Sequence, residues 1–135
     1  EISLIIGESI KEFNKDLIFL VLPLTEMEKA AKNLNLKYAC EIFADRNYED
    51  NGQLVSRSKE HATVIDPKIA SSNILEMLDN SYIKCYSGKK IKCEIDTICI
   101  HGDGDKALLI AENLKNSLLQ SNIQLLNLNK LKKFL

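Results

Sequence analysis

At 135 residues the chain is long enough for one domain with a real core and too short for two of ordinary size. Apolar residues make up 45% of it and charged residues 27%, close to the globular average, which excludes the disordered and fibrous classes. A net charge of −1 gives no reason to expect nucleic acid or an anionic membrane as partner.

Apolar residues at Ile2, Ile6, Ile10 and Phe13 predict a helix from Ile2 to about Asn14. The chain does not begin with Met, and Glu1–Ile6 reads like the middle of an element, so the natural start is expected upstream. Leu17–Leu22 is a continuous apolar run closed by Pro23, the pattern of a strand buried on both faces and far too short to span a bilayer. Thr25 with Glu28 is a capping-box pattern opening a helix whose face is Met27, Ala30, Ala31 and Leu34. Lys37–Phe43 is the next predicted strand. Residues 44–64 then form one long connection, rich in Asp, Asn, Gly, Ser and Arg, with a turn at Asp50-Asn51-Gly52. Loops of that length in compact domains are uncommon and often functional.

Asp66-Pro67 starts a helix strongly, with Asp at the N-cap and Pro at the first position. Its inner side is Ala70, Ile74, Met77 and Leu78. Tyr82–Tyr86 and Ile91–Cys93 read as a small hairpin leading into a strand at Ile95–Ile100. A last helix is predicted from about Asp105 to Gln120, with Ala107, Ala111, Leu114 and Leu118 inward. The tail Leu128–Leu135 is mildly basic, and Lys130, Lys132 and Lys133 read as a solvated face. Alternation of this kind implies an α/β fold with parallel strands and right-handed crossovers.

The four cysteines include no C-x-x-C pair and only two histidines accompany them, which argues against structural zinc. Cys40 and Cys99 sit in apolar runs and read as small hydrophobes. Cys85 and Cys93 flank Ser87–Lys90 and leave a hairpin disulfide open, with free thiols in a reducing cytoplasm the simpler account.

Two strand ends carry the chemistry. Glu41-Ile42-Phe43-Ala44-Asp45-Arg46 and Ile100-His101-Gly102-Asp103 are apolar runs that stop abruptly in charged residues. Carboxyl ends of parallel strands are where α/β proteins place their sites. Glu41, Asp45, His101 and Asp103 are candidates for proton transfer or water activation. Arg46 and Arg57 are candidates for holding phosphate or carboxylate, and Gly102 for a sharp turn beside a substrate. Plainer readings stand beside these: an Asp45–Arg46 ion pair, a helix cap at Asp103 or Asp105, a structural His101, a solvated His61, and Tyr48 and Ser56 as ordinary loop residues.

Glu41–Tyr48, Gly52–Arg57, Ile65-Asp66-Pro67 and Ile98–Asp103, in that order and spacing over roughly residues 1–126, resemble the C-terminal half of the LamB/YcsF family. The resemblance implies part of an irregular (β/α) barrel of the glycoside hydrolase/deacetylase type, with residues 1–135 its C-terminal portion. It implies the reaction of the ATP-dependent 5-oxoprolinase to which the family contributes the A subunit. In that reaction 5-oxo-L-proline and ATP give L-glutamate, ADP and phosphate. ATP is then a co-substrate, and 5-oxoprolinase subunits B and C are partners. For that reaction Glu41, Asp45, His101 and Asp103 are the candidate catalytic residues, and Arg46, Arg57, Ser56 and Gly102 the candidates for binding substrate or phosphate, with no metal assigned. Three family motifs (D-L-N-x-D-x-G, G-x-H-A-G-D and K-P-H-G-A-L-Y) are absent, so the chain reads as a truncated or split member needing the N-terminal half or a second chain. Glu60-His61 stands where the family has Pro-Gly, so the end of the long loop is expected to take its own path. A carbohydrate-active hydrolase or deacetylase, or a non-catalytic half-barrel, is the alternative.

Overall fold

The computed structural model describes all residues 1–135. In chain order the elements are α1 (Ile2–Asn14), β1 (Phe19–Val21), α2 (Glu26–Asn33), β2 (Tyr38–Phe43), α3 (Pro67–Asn80), β3 (Tyr82–Lys84), β4 (Lys90–Lys92), β5 (Thr97–Cys99) and α4 (Ala107–Gln120). Two single 3₁₀ turns, Leu128–Lys130 and Lys132–Phe134, close the chain. Strands β1, β2 and β5 form a parallel sheet with β2 in the middle, and β3 and β4 form a separate antiparallel hairpin.

Register decides which residues share a face. Val21 pairs with Cys40 and Ile42 with Ile98, so one face carries Phe19, Val21, Cys40, Ile42 and Ile98. That face meets the helices. Ile42 lies in the main core with Ala70, Ile74 and Met77 of α3 and Ile110, Leu114 and Leu118 of α4. The opposite face carries Leu20, Ala39, Glu41, Phe43, Thr97 and Cys99; Ala39 is buried there and the others are exposed or half-buried. This corrects the expectation for Leu17–Leu22: only Phe19–Val21 is strand, and Leu20 is 45% exposed on the open side.

Local signals act largely as the residues predict. Asp66 caps α3, its Oδ1 accepting from the Lys68 and Ile69 N–H groups, and Ser81 ends that helix in the left-handed region at φ 52°. At α2 the capping box is rearranged. Thr25 Oγ1 donates to the Leu22 carbonyl rather than serving the helix amides. The Glu28 carboxylate accepts from the Leu24 N–H at 2.6 Å and pairs with Lys32. Leu24 sits at φ 68°, costly for a side-chain-bearing residue, and the Glu28 bond secures it there. Neither Asp103 nor Asp105 caps α4, whose N-cap is Lys106 without a side-chain bond.

The four cysteines are free. A bridge between Cys85 and Cys93 fails on register: Cys85 N–H bonds the Lys89 carbonyl and Cys93 N–H the Ser81 carbonyl, so the two are not opposed. The tail is more than a solvated face. Lys133 bonds Asp96 at 2.6 Å and Glu94 at 2.8 Å and lies over the Tyr38 ring. Cys40, Glu94 and Asp96 lie within 4.8 Å of one another, but that ammonium already neutralises both carboxylates. Burial, then Glu28 and Asp96, push the Cys40 thiol up to about 12, so it stays protonated. No helix is long and apolar enough to cross a membrane.

Glu76 ties the hairpin to α3 through Lys84, Tyr82 and Lys90, which hold its carboxyl down at about 2. A depressed carboxylate contributes stability above its unfolded pKa and loses it as pH falls through the folded one. The unfolding midpoint should therefore fall as pH drops from about 4.5 towards 2, and more steeply than in Glu76→Gln. Parallel curves for the two proteins would contradict this tie.

Candidate active site at the strand ends

Beyond Phe43 the chain leaves the sheet but not the core. Asn47 N–H bonds the Ala62 carbonyl, Val55 N–H the Asn47 carbonyl, and Val64 N–H the Asp45 carbonyl. The long connection is thus folded back on itself, with Ala44, Tyr48, Val55 and Ala62 buried. Arg46 organises it: Nε donates to the Ala62 carbonyl at 3.2 Å and Nη2 to the Val55 carbonyl at 2.7 Å. The guanidinium, a candidate for holding phosphate or carboxylate, ties two stretches of its own loop together and also lines the cleft at the strand ends. It does not pair with Asp45, whose partner is elsewhere.

That partner is His101. Its Nδ1 lies 2.8 Å from Asp45 Oδ2 and 3.1 Å from Oδ1. The two residues stand 56 positions apart and meet because β2 and β5 are adjacent and parallel, ending together. An ionised carboxylate only accepts, so in this contact the imidazole is the donor, through Nδ1–H, and Nε2 has no hydrogen-bond partner in the protein. Phe43 stacks on the imidazole with centroids 5.3 Å apart and planes 10° from parallel.

Asp45 and His101 line a cleft of about 460 Å³ with Arg46, Arg57, Thr63, Asp103, Lys106 and the start of α4. Arg57 and Asp103 are exposed there, at the mouth. The remaining candidates lie apart. Glu41 sits one turn of the pleat back on the open sheet face, and burial raises its carboxyl, with His101 opposing the rise. Ser56 bonds Ser58 in the exposed loop, outside the lining. Gly102 has no positive φ, and a Cβ there would meet nothing within 4 Å, so the backbone does not demand glycine. His61 stacks on Tyr86 rather than facing the cleft. The residue reading missed Phe43, Thr63 and Lys106. Phe43 was legible, since it shares strand parity with Glu41 and Asp45; Thr63 is brought in only by the loop's return.

The Glu41 carboxyl is destabilised in its charged form, because the folded protein raises its pKa. Glu41→Gln is therefore expected to raise the urea midpoint at neutral pH. The gain should vanish as pH falls below the ordinary carboxylate range, where the wild-type group is neutral as well. A variant less stable than wild type at pH 7 would contradict it.

A family model described as LamB/YcsF family matches residues 1–133. The chain is 43% identical over 126 residues to the A subunit of 5-oxoprolinase from Clostridium beijerinckii, covering 93% of this chain and 49% of that protein. It is 40% identical over 124 residues to the protein of the same name from Campylobacter jejuni subsp. doylei, covering 92% and 49%. Against the Staphylococcus aureus protein of that name the figure is 35% over 128 residues, covering 95% and 51%. The chain thus spans about half the length of the curated relatives it matches. Among solved structures it superposes on the lactam utilization protein of Thermus thermophilus with a TM-score of 0.79 at 29% identity, covering 89% of this chain and 47% of that one. Parallel strands with helices on one face, the family match over nearly every residue, and that superposition agree: the chain belongs to the LamB/YcsF family.

Proposed function

We propose that this chain supplies the C-terminal portion of the barrel in a 5-oxoprolinase A subunit, and with it a proton-handling pair for opening a lactam. The observation that carries the reading is the Asp45–His101 pair in the cleft at the strand ends. The names of the relatives supply the substrate class.

A five-membered lactam is a poor electrophile. Its carbonyl oxygen needs conversion to a leaving group, or strong stabilisation of the oxyanion, and its nitrogen needs a proton as the ring opens. Phosphorylation of that oxygen by ATP answers the first need. Water then adds to the activated carbon and the ring nitrogen leaves protonated, giving an acyl phosphate. A second water hydrolyses that to the carboxylate and phosphate, so that with the ADP of the first step the products are glutamate, ADP and phosphate. His101 Nε2 takes the water proton, and Asp45 holds the imidazolium that forms. Arg57, Lys106 and the uncapped start of α4 present positive charge where a phosphoryl group would sit. Asp103 at the mouth is the candidate acid for the nitrogen. Subunits B and C, and the other half of the barrel, complete the enzyme.

The open face with Leu20, Phe43 and Cys99 needs a covering layer, so the 135-residue chain alone is expected to self-associate and to be inactive. The test adds ATP and 5-oxo-L-proline to the chain joined with the other half of the barrel and subunits B and C. Equimolar glutamate and phosphate, dependent on all components, is the expected result. Turnover by the chain alone, or an assembled complex that leaves the lactam intact, would overturn the proposal.

A further inference from the structure

The N–H of Phe43 points to the β1 side of β2, where β1 has already ended at Val21, opposite Cys40. A strand edge there would leave the amide without a partner. Instead the Tyr48 hydroxyl takes it at 2.7 Å, standing in for the missing strand carbonyl. Tyr48 is itself held firmly. It is 1% exposed, its carbonyl accepts the Tyr86 N–H at 2.7 Å, and it bridges to Leu54 and Cys85. Burial pushes its phenol well above the usual range, so the hydroxyl stays neutral.

From the same short backbone project the Phe43 ring, stacked under the His101 imidazole, and the Asp45 carboxylate, bonded to its Nδ1. A carboxylate alone leaves an imidazole free to swing about the hydrogen bond. A parallel ring beneath it removes that rotation and fixes the plane in which Nε2 lies. We propose that Tyr48 and Phe43 are positioning residues: the Tyr48 phenol fixes the end of β2, and the Phe43 ring holds the plane of His101 so that its Nδ1–H stays on the Asp45 carboxylate and Nε2 faces the cleft.

The inference rests on reading Asp45–His101 as the proton-handling pair, and it extends to residues that touch no substrate. Phe43 lies on the open sheet face, so changing it leaves the helix-covered core intact. The experiment is long-range ¹H–¹⁵N NMR of the histidine rings in the chain joined with the other half of the barrel, above the ordinary imidazole range of about 6.5. Wild type is expected to show His101 as the Nδ1–H form. Phe43→Leu should lose that preference and drift to the Nε2–H form that free histidine favours, while Phe43→Tyr restores it. Tyr48→Phe, which removes one oxygen and keeps the ring, should lose part of it. His61, remote from the pair, serves as the internal reference. A wild-type His101 without Nδ1–H preference would overturn the paired reading itself. A locked wild type with Phe43→Leu equally locked would overturn the positioning role of Phe43, and an unchanged Tyr48→Phe would remove Tyr48 from it.

Discussion

Replacing His101 by Gln is expected to lower 5-oxoproline-dependent turnover of the assembled enzyme by roughly 10²–10⁴-fold, the usual worth of a positioned acid–base group. Gln keeps a polar side chain of similar reach but neither exchanges a proton near neutrality nor stacks as an imidazole on Phe43. Asp45→Asn should fall in the same range for a different reason. Its amide can donate to Nδ1 as readily as accept, which favours the wrong tautomer and leaves a developing imidazolium without its counter-charge. Because the two residues act through one bond, the double variant should lose little more than the worse single one. Multiplying losses would mean two independent roles and would sink the pair as a unit. Binding of the lactam, measured separately, should change little in either variant.

Arg46→Met is expected to destabilise the fold by roughly 2–4 kcal/mol, the loss of two charge-assisted bonds, with the Val55 carbonyl losing its Arg46 partner while that of Ala62 keeps the Asn47 N–H. Met retains most of the apolar stem, so the effect isolates the guanidinium from its packing. Arg46→Lys should give an intermediate loss, because a single ammonium cannot span the Ala62 and Val55 carbonyls as the planar fork does. The damage should be local first: hydrogen exchange at Asn47, Val55 and Val64 should accelerate before that of the sheet. The urea midpoint and the amide exchange pattern read both quantities. If Arg46→Met keeps its stability and loses nucleotide binding instead, the residue is a phosphate ligand and the loop holds by other means.

Helices α1 and α3, strand β2, the hairpin and their order were legible in the residues because they rest on local rules. An apolar residue every third or fourth position makes a helical face, and Asp66-Pro67 can satisfy the first amides of α3 only where it stands. The polar ends of β2 and β5 announced a shared rim for the same reason: apolar runs that stop in Asp45 and His101 must deliver them to one end of the sheet if the strands are parallel. The LamB/YcsF resemblance was legible too, in four short blocks whose order mattered more than any one of them.

Partnerships across distance were not. Arg46 follows Asp45 directly, and an ion pair between neighbours was one open reading, yet the carboxylate turned to a histidine 56 residues on and the guanidinium to loop carbonyls. Which partner a charge takes depends on what the folded chain brings within about 3 Å, and chain order does not carry that. Lys133 was a solvated lysine by pattern and became the counter-ion of Asp96 for the same reason. Tyr48 read as a loop residue, and only the early end of β1 created the vacant amide its hydroxyl fills. The sequence by itself determined the periodic elements, their caps and the rim to which the polar residues go. The tertiary structure alone decided which of them pair, because desolvation makes an unpaired buried donor or charge costly and so selects partners by proximity in space.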